Sequence, residues 1–335
     1  MIWGELGFDW HWSKRSNLLA LLRFHNHKKI KLIFTGLSTE LFTAIMDVEK
    51  GGLMEEGQSE TTLPSEKNAL LHHIGGFILI LIYFLVSMYA SVIDKNIYFK
   101  ENDPRLSFPF KDDTVTVSEL MALSTLIPLA FIFIGIFIVL PVGGFSDKLL
   151  RFRVIGAFIL VIGLFQALLF NDAVTNNVKV LVLRPRPNFF AYCNYKGYYD
   201  AQLSNDYTSY NAITSIDAIG NTADCLNKDN VADSILSFPS GHTSLIFCGM
   251  IYASMMIKYM INSRHKFSTV SIDGILFCGP LALASWVGIT RIQDHYHNTD
   301  DVMMGGIIGL SVGYYSFKHA ISLFETYTYS NRKTS

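Results

Sequence analysis

The sequence has 335 residues, half of them hydrophobic and 16% charged, where a soluble domain usually carries about 25% charged residues. Its formal net charge is −1, which excludes nucleic-acid binding by global charge. No cleavable signal peptide is expected, because Glu5 and Asp9 interrupt the first ten residues and the apolar run at 18–22 is too short.

Residues 1–70 read as a cytosolic N-terminal segment. Apolar residues between 18 and 45 are spaced like an amphipathic helix and mixed with basic ones, which suits an anionic leaflet. A loosely ordered tail fits the same residues equally well. From 49 to 66 the chain is rich in Gly, Ser, Thr and Glu and reads as a flexible linker.

Six apolar stretches follow, at about 74–93, 120–142, 154–174, 243–257, 272–289 and 302–317. Backbone groups in lipid must be satisfied internally, so each is expected to be a helix. The predicted fold is all-α, a six-span polytopic bundle over 71–320 with a C-terminal tail at 321–335. Basic residues orient it. Lys148, Arg151 and Arg153 lie between spans two and three; Lys258, Arg264 and Lys266 lie between four and five. Lys318, Arg332 and Lys333 follow span six, and Lys14, Arg15, Arg23, Lys28, Lys29 and Lys31 precede span one. All fall on one side, so both termini are expected in the cytosol. The loops at 94–119, 184–238 and 290–301 are then lumenal or extracellular.

Ionisable groups at span ends usually mark function, and three clusters sit on that non-cytosolic side. The first closes span three. Asp172, Thr175, Asn176 and Lys179 recur at helical spacing on one face, followed by Arg184-Pro185-Arg186-Pro187. The second, Ser237-Phe238-Pro239-Ser240-Gly241-His242, opens span four with helix-start residues. A helix N-terminus is a ready anion site, Gly241 admits a close backbone approach, and His242 stands beside it. The third joins spans five and six, from Thr290 and Arg291 to Asp301. His-x3-Asp spacing places His297 and Asp301 one helical turn apart. A carboxylate there can accept a hydrogen bond from one imidazole nitrogen and leave the other free to attack.

The four cysteines, Cys193, Cys225, Cys248 and Cys278, show no metal-like spacing, so neither metal nor cofactor is expected. Cys193 and Cys225 share the 184–238 loop on the oxidising side, where a disulfide competes with two free thiols. That loop is too long for a mere connector and suits a lid.

In this order, Lys-x6-Arg-Pro, Pro-Ser-Gly-His and Arg-x5-His-x3-Asp resemble the three-part signature of the type-two phosphatidic acid phosphatase family. The run Arg186 to Cys193, and more weakly Asp103 to Pro109, looks like its lipid phosphate phosphatase branch, which includes diacylglycerol pyrophosphate phosphatase-like enzymes. Family spacing selects Arg186 over Arg184, His297 over His295 and Asp301 over Asp300. Thr290 stands where the family commonly has Ser.

The resemblance implies a phosphatase/haloperoxidase-like core and a magnesium-independent phosphoric monoester hydrolase acting on phosphatidic acid and related lipid phosphates or diphosphates. It implies His297 as the nucleophile, forming a phosphohistidine, with Asp301 orienting it and His242 as acid and then base. Lys179, Arg186, Ser240, Gly241 and Arg291 would bind the phosphate. The expected partners are the lipid substrate and the bilayer. Competing readings are a catalytically silent lipid-binding or scaffold relative, a phosphatase for sphingoid-base or dolichyl phosphates, and a transporter.

Overall fold

The computed structural model describes residues 66–90, 97–101, 103–139, 147–206, 218–264 and 270–333, all within one compact unit, Pro64–Ser335. The predicted amphipathic segment and nearly all of the linker lie outside these residues. Helices dominate. In chain order they are α1 (Glu66–Ala90), α2 (Val117–Phe133), α3 (Asp147–Val182), the short α4 (Phe189–Tyr192), α5 (Tyr198–Ser204) and α6 (Val231–Ser234), then α7 (Gly241–Arg264), α8 (Val270–Gln293) and α9 (Thr299–Lys333). A π-helical turn, Ile134–Val139, continues α2.

Four of the long helices contain segments long and apolar enough to cross a membrane: Val117–Val139, Leu150–Val182, Gly241–Ser263 and Ser271–Gln293. In α1 the apolar stretch is shorter, His73–Tyr89. The last helix, α9, is long but more polar, and it runs through 321–333, the region assigned to a tail. Its contacts explain the continuation, since Phe317, Ala320, Ile321 and Phe324 are buried in the bundle core.

Helix α7 is the axis of the bundle. It packs against α2, α3, α8 and α9, and 72% of its apolar window is buried, against 17% for α8. Its seam with α9 depends on missing side chains. A Cβ on Gly305, Gly309 or Gly313 would lie 2.5, 2.2 and 2.5 Å from the carbonyls of Ser240, Ser244 and Cys248. Glycines four residues apart thus meet carbonyls four residues apart, one per turn, a small-residue contact that lets two backbones approach closely. Hydroxyls and amides add clasps between helices. Thr175 Oγ1 and Asn171 Nδ2 donate to Ser244 Oγ at 3.0 and 3.2 Å, and Asn177 Nδ2 donates to Tyr83 OH at 2.5 Å. The predicted polar face of span three therefore divides. Thr175 turns to α7, while Asn176 Nδ2 folds back on Asp172 Oδ2 at 2.8 Å.

At one end of the bundle, residues 97–101, 103–116, 184–206 and 218–236 form a cap with its own core of Phe99, Phe189, Phe190, Tyr195, Tyr198 and Ile235. Two three-residue strands tie its halves together: β1 (Tyr98–Lys100) runs antiparallel to β2 (Ile219–Asn221), with Phe99 opposite Gly220. A disulfide joins Cys193 and Cys225. Inside the cap, Tyr195 OH and Lys196 Nζ donate to the buried Glu101 carboxylate at 2.5 and 2.6 Å. Burial alone would raise that carboxyl's pKa, but these two donors hold it below its usual range.

Candidate active site

The three clusters converge at the seam between bundle and cap. Lys179 lies in the last turn of α3, where its ammonium donates to the Leu236 carbonyl at 3.1 Å. A Cβ on Gly241 would sit 3.6 Å from Lys179 Nζ, so the lysine lies against the start of α7. Arg186 follows α3 in the extended Arg-Pro-Arg-Pro segment. Its Nε donates to the Asp233 carbonyl at 2.9 Å and its Nη2 to the Asp233 carboxylate at 2.5 Å. Burial would raise the Asp233 pKa, but the charges of Arg186 and Lys179 outweigh it and keep the carboxylate ionised.

Ser240 caps α7, its Oγ accepting from Thr243 Oγ1 at 2.9 Å and Thr243 N at 3.4 Å. With its oxygen so engaged, the hydroxyl proton is directed away from the helix. The first N–H groups of α7 have no partner inside the helix, as at any helix start. Ser240 N donates to the Asp301 carbonyl at 3.0 Å, which stitches the second cluster to the third. His242 Nε2 is buried and has no hydrogen-bond partner among the described residues. Arg291, Lys179, Arg186 and His297 are all within electrostatic reach of it.

Arg291, in the last turn of α8, is completely buried. It donates to the Val115 carbonyl at 3.2 Å and to Asp113 Oδ1 at 2.5 Å. Its Nε is buried without a partner among the described residues. Thr290 turns its hydroxyl back to the Val287 carbonyl at 2.7 Å, inside its own helix and away from the phosphate-binding groups.

His297 is almost fully buried, and its Nδ1 lies 2.7 Å from the Ser237 carbonyl oxygen. A carbonyl only accepts, so Nδ1 carries the proton and Nε2 presents a lone pair. Burial first, then Arg186 and Lys179, push the imidazole pKa down to about 3, against the raising influence of Asp301. The ring is neutral at physiological pH. This arrangement differs from the one expected for Asp301, whose Oδ2 is 3.9 Å from His297 Nδ1, too far for a hydrogen bond. The Ser237 carbonyl takes the imidazole proton instead, because the Asp301 carboxylate is already engaged. Ser237 Oγ donates to it at 2.7 Å, Asn298 N at 2.8 Å and Arg184 Nη1 at 2.8 Å. Burial would raise its pKa, but neighbouring His297, these hydrogen bonds and the Arg184 charge bring it down to about 2.

All eight candidate residues thus gather in one region. Several others there escaped the motif spacing. Arg184 pairs with Asp301 and also with Asp300. Asp113 and Asp233 hold the two guanidiniums, and the buried Asp294 pins the 111–114 strap through Lys111 Nζ and Thr114 N. Ser237 lay within the quoted second cluster, and Arg184 was visible as the other arginine before a proline. Asp113 and Asp233 left no signal, being aspartates of ordinary sequence setting far along the chain from their partners.

Residues 156–321 match the family model described as the PAP2 superfamily. That stretch carries a PAP2 superfamily domain, and the chain's likeness runs to the lipid phosphate phosphatase branch. It is 28% identical over 214 residues to lipid phosphate phosphatase 1 of Arabidopsis thaliana, covering 64% of this chain and 57% of that one. Lipid phosphate phosphatase 2 of the same plant is 27% identical, covering 73% of this chain and 76% of its own length. A Schizosaccharomyces pombe protein named probable diacylglycerol pyrophosphate phosphatase 1 is 28% identical, covering 42% and 46%. The chain therefore spans little more than half the length of the first of these relatives. No solved structure gives a significant match.

Proposed function

We propose that the chain is an integral membrane lipid phosphate phosphatase that hydrolyses phosphatidic acid and related lipid phosphates or diphosphates through a phosphohistidine. The observation that carries this reading is the 2.7 Å contact of His297 Nδ1 with the Ser237 carbonyl, which leaves Nε2 unprotonated among three cations. The names of the relatives supply the substrate class.

In the first step His297 Nε2 attacks phosphorus, and the bond to the lipid oxygen breaks. His242 gives its proton to that leaving oxygen; the bound phosphate dianion supplies the charge that lets His242 carry it. Lys179, Arg186 and Arg291, with the Ser240 hydroxyl and the Gly241 N–H, stabilise charge on the equatorial oxygens. The phosphorylated imidazole becomes cationic, and the Asp301 carboxylate at 3.9 Å stabilises it electrostatically. In the second step His242 takes a proton from water, which attacks phosphorus. The N–P bond breaks and inorganic phosphate leaves.

Six spans complete the proposal, with α1 and α9 joining the four apolar helices. Both termini then lie in the cytosol and the site faces the lumen or exterior, supported by the grouping of basic residues between and after the spans. The test is purified protein in detergent, with chelator present, given phosphatidic acid, diacylglycerol pyrophosphate, lysophosphatidic acid and sphingosine phosphate. Phosphate release is expected and should vanish in His297→Ala. Wild-type protein releasing no more than that variant would sink the reading.

A further inference from the structure

The two guanidiniums of the site share one aromatic ring. Tyr296 lies between Arg291 and His297 in sequence and is nearly buried. Its ring centroid is 4.7 Å from Arg291 Cζ and 5.1 Å from Arg186 Cζ. No other ring among the described residues carries both arginines. Asp113, Val115 and Asp233 take part of the guanidinium edges; on the faces, Tyr192 lies 5.8 Å from Arg186 Cζ alone, and Tyr296 lies against both arginines. Tyr192, at right angles to Tyr296 with centroids 5.7 Å apart, backs the ring from the cap.

Two like charges in a water-poor site repel each other, and carboxylates on their outer edges alone would draw them apart. An aromatic face is a region of negative potential that attracts a guanidinium without offering it a hydrogen-bond acceptor. It therefore attracts both arginines while leaving donors such as Arg291 Nε unspent. We propose that Tyr296 is a positioning residue that sets the spacing of Arg186 and Arg291, and so fixes where the equatorial oxygens of a transferring phosphoryl group are held. This rests on the phosphatase reading above and assigns within that site a role to the ring rather than to the hydroxyl.

The test is inhibition by orthovanadate, which becomes five-coordinate when a site nucleophile adds to it and so mimics phosphoryl transfer, measured with phosphate release from phosphatidic acid in detergent. Tyr296→Leu should lower kcat/KM roughly 10- to 50-fold, the scale of losing two cation–π contacts. It should weaken vanadate binding by a similar factor, with the smaller part of the loss in KM. Tyr296→Phe should retain most of both. A purely structural role would reduce the active fraction and leave the vanadate Ki of the remaining enzyme unchanged; that outcome overturns the proposal. Fluorinated phenylalanines at 296 keep the shape of the ring while draining its negative face, which covers failure of the leucine variant to fold. Vanadate Ki should rise stepwise along that series, and a flat series also overturns the proposal. Release abolished by His297→Ala in the same preparation shows that a flat series removes only the role of the ring and leaves the phosphatase reading standing.

Discussion

The bundle and the cap hold together by opposite means. Along the α7–α9 seam cohesion comes from absent side chains, with glycine Cα atoms against the carbonyls of Ser240, Ser244 and Cys248. The ion pairs of Arg105, Lys111, Arg184, Arg186, Lys196 and Arg291 instead lie in the cap or where it meets the bundle, as does the Cys193–Cys225 disulfide. The physical reason is the surroundings. Lipid tails are as apolar as leucine, so helices there associate by close fit and a few hydroxyl clasps. The cap is small and polar, and takes covalent and ionic ties to remain ordered. The site sits on the boundary, with helix ends from one region and carboxylates from the other.

Breaking the bundle should cost most. Gly309→Val places a Cβ 2.2 Å from the Ser244 carbonyl oxygen, and backbone cannot move aside cheaply, so a loss of several kcal/mol is expected. Size-exclusion chromatography in detergent should show little monodisperse protein. Breaking the cap should be milder and separable. Cys193→Ser opens a loop closed across 32 residues and should cost about 3 kcal/mol. Activity should then fail on heating before the helical circular dichroism does; coincident loss would mean that the two regions unfold as one.

Arg184→Gln addresses the boundary itself. It removes a cation from Asp301, so His297 should bind protons more readily. The acid limb of the rate profile, set by an imidazole pKa of about 3, should move to higher pH, with kcat/KM near pH 4 falling roughly two- to fivefold, little change at pH 6 and Arg184→Lys restoring much of the loss. An unshifted profile would reduce Arg184 to a structural tie. The same histidine makes stability depend on pH. His297 has a folded pKa of about 3 against an ordinary 6.5, so the unfolded chain binds more protons between those values. Stability should then fall as pH drops from about 6.5 toward 3. Asp301, held at about 2 against an ordinary 3.8, contributes stability that is lost between those values, overlapping only the bottom of that window. His297→Gln should flatten the slope between 6.5 and 3, read as melting temperature against pH.

The sequence makes the long helices legible because a span must be apolar over its whole length, and the four apolar helices overlap four of the predicted stretches. The end of α9 was less visible, since its last turns mix Lys318, Glu325 and Tyr327 with the buried Phe324. The cap could not be read beyond its disulfide alternatives. Strands of three residues have no measurable periodicity, and their pairing joins residues over a hundred positions apart. In the site, cations and histidines were legible because their spacing along helices is fixed. Arg291 and Asp113, by contrast, are 178 residues apart, and no spacing rule links them. The partner of His297 was misjudged for a related reason. Helical spacing brings Asp301 within one turn, but whether its carboxylate is free depends on Ser237, Asn298 and Arg184 arriving from elsewhere.

Ser237 gives the site an unusual resistance to genetic change. The atom that receives the His297 proton is a main-chain oxygen, and no codon change can delete it. A mutation at position 237 can remove the hydroxyl held by Asp301, yet the replacement residue still brings its own carbonyl to the same bend. Descendants of this chain can therefore change the side chain at 237 and still keep the acceptor that fixes the tautomer of His297.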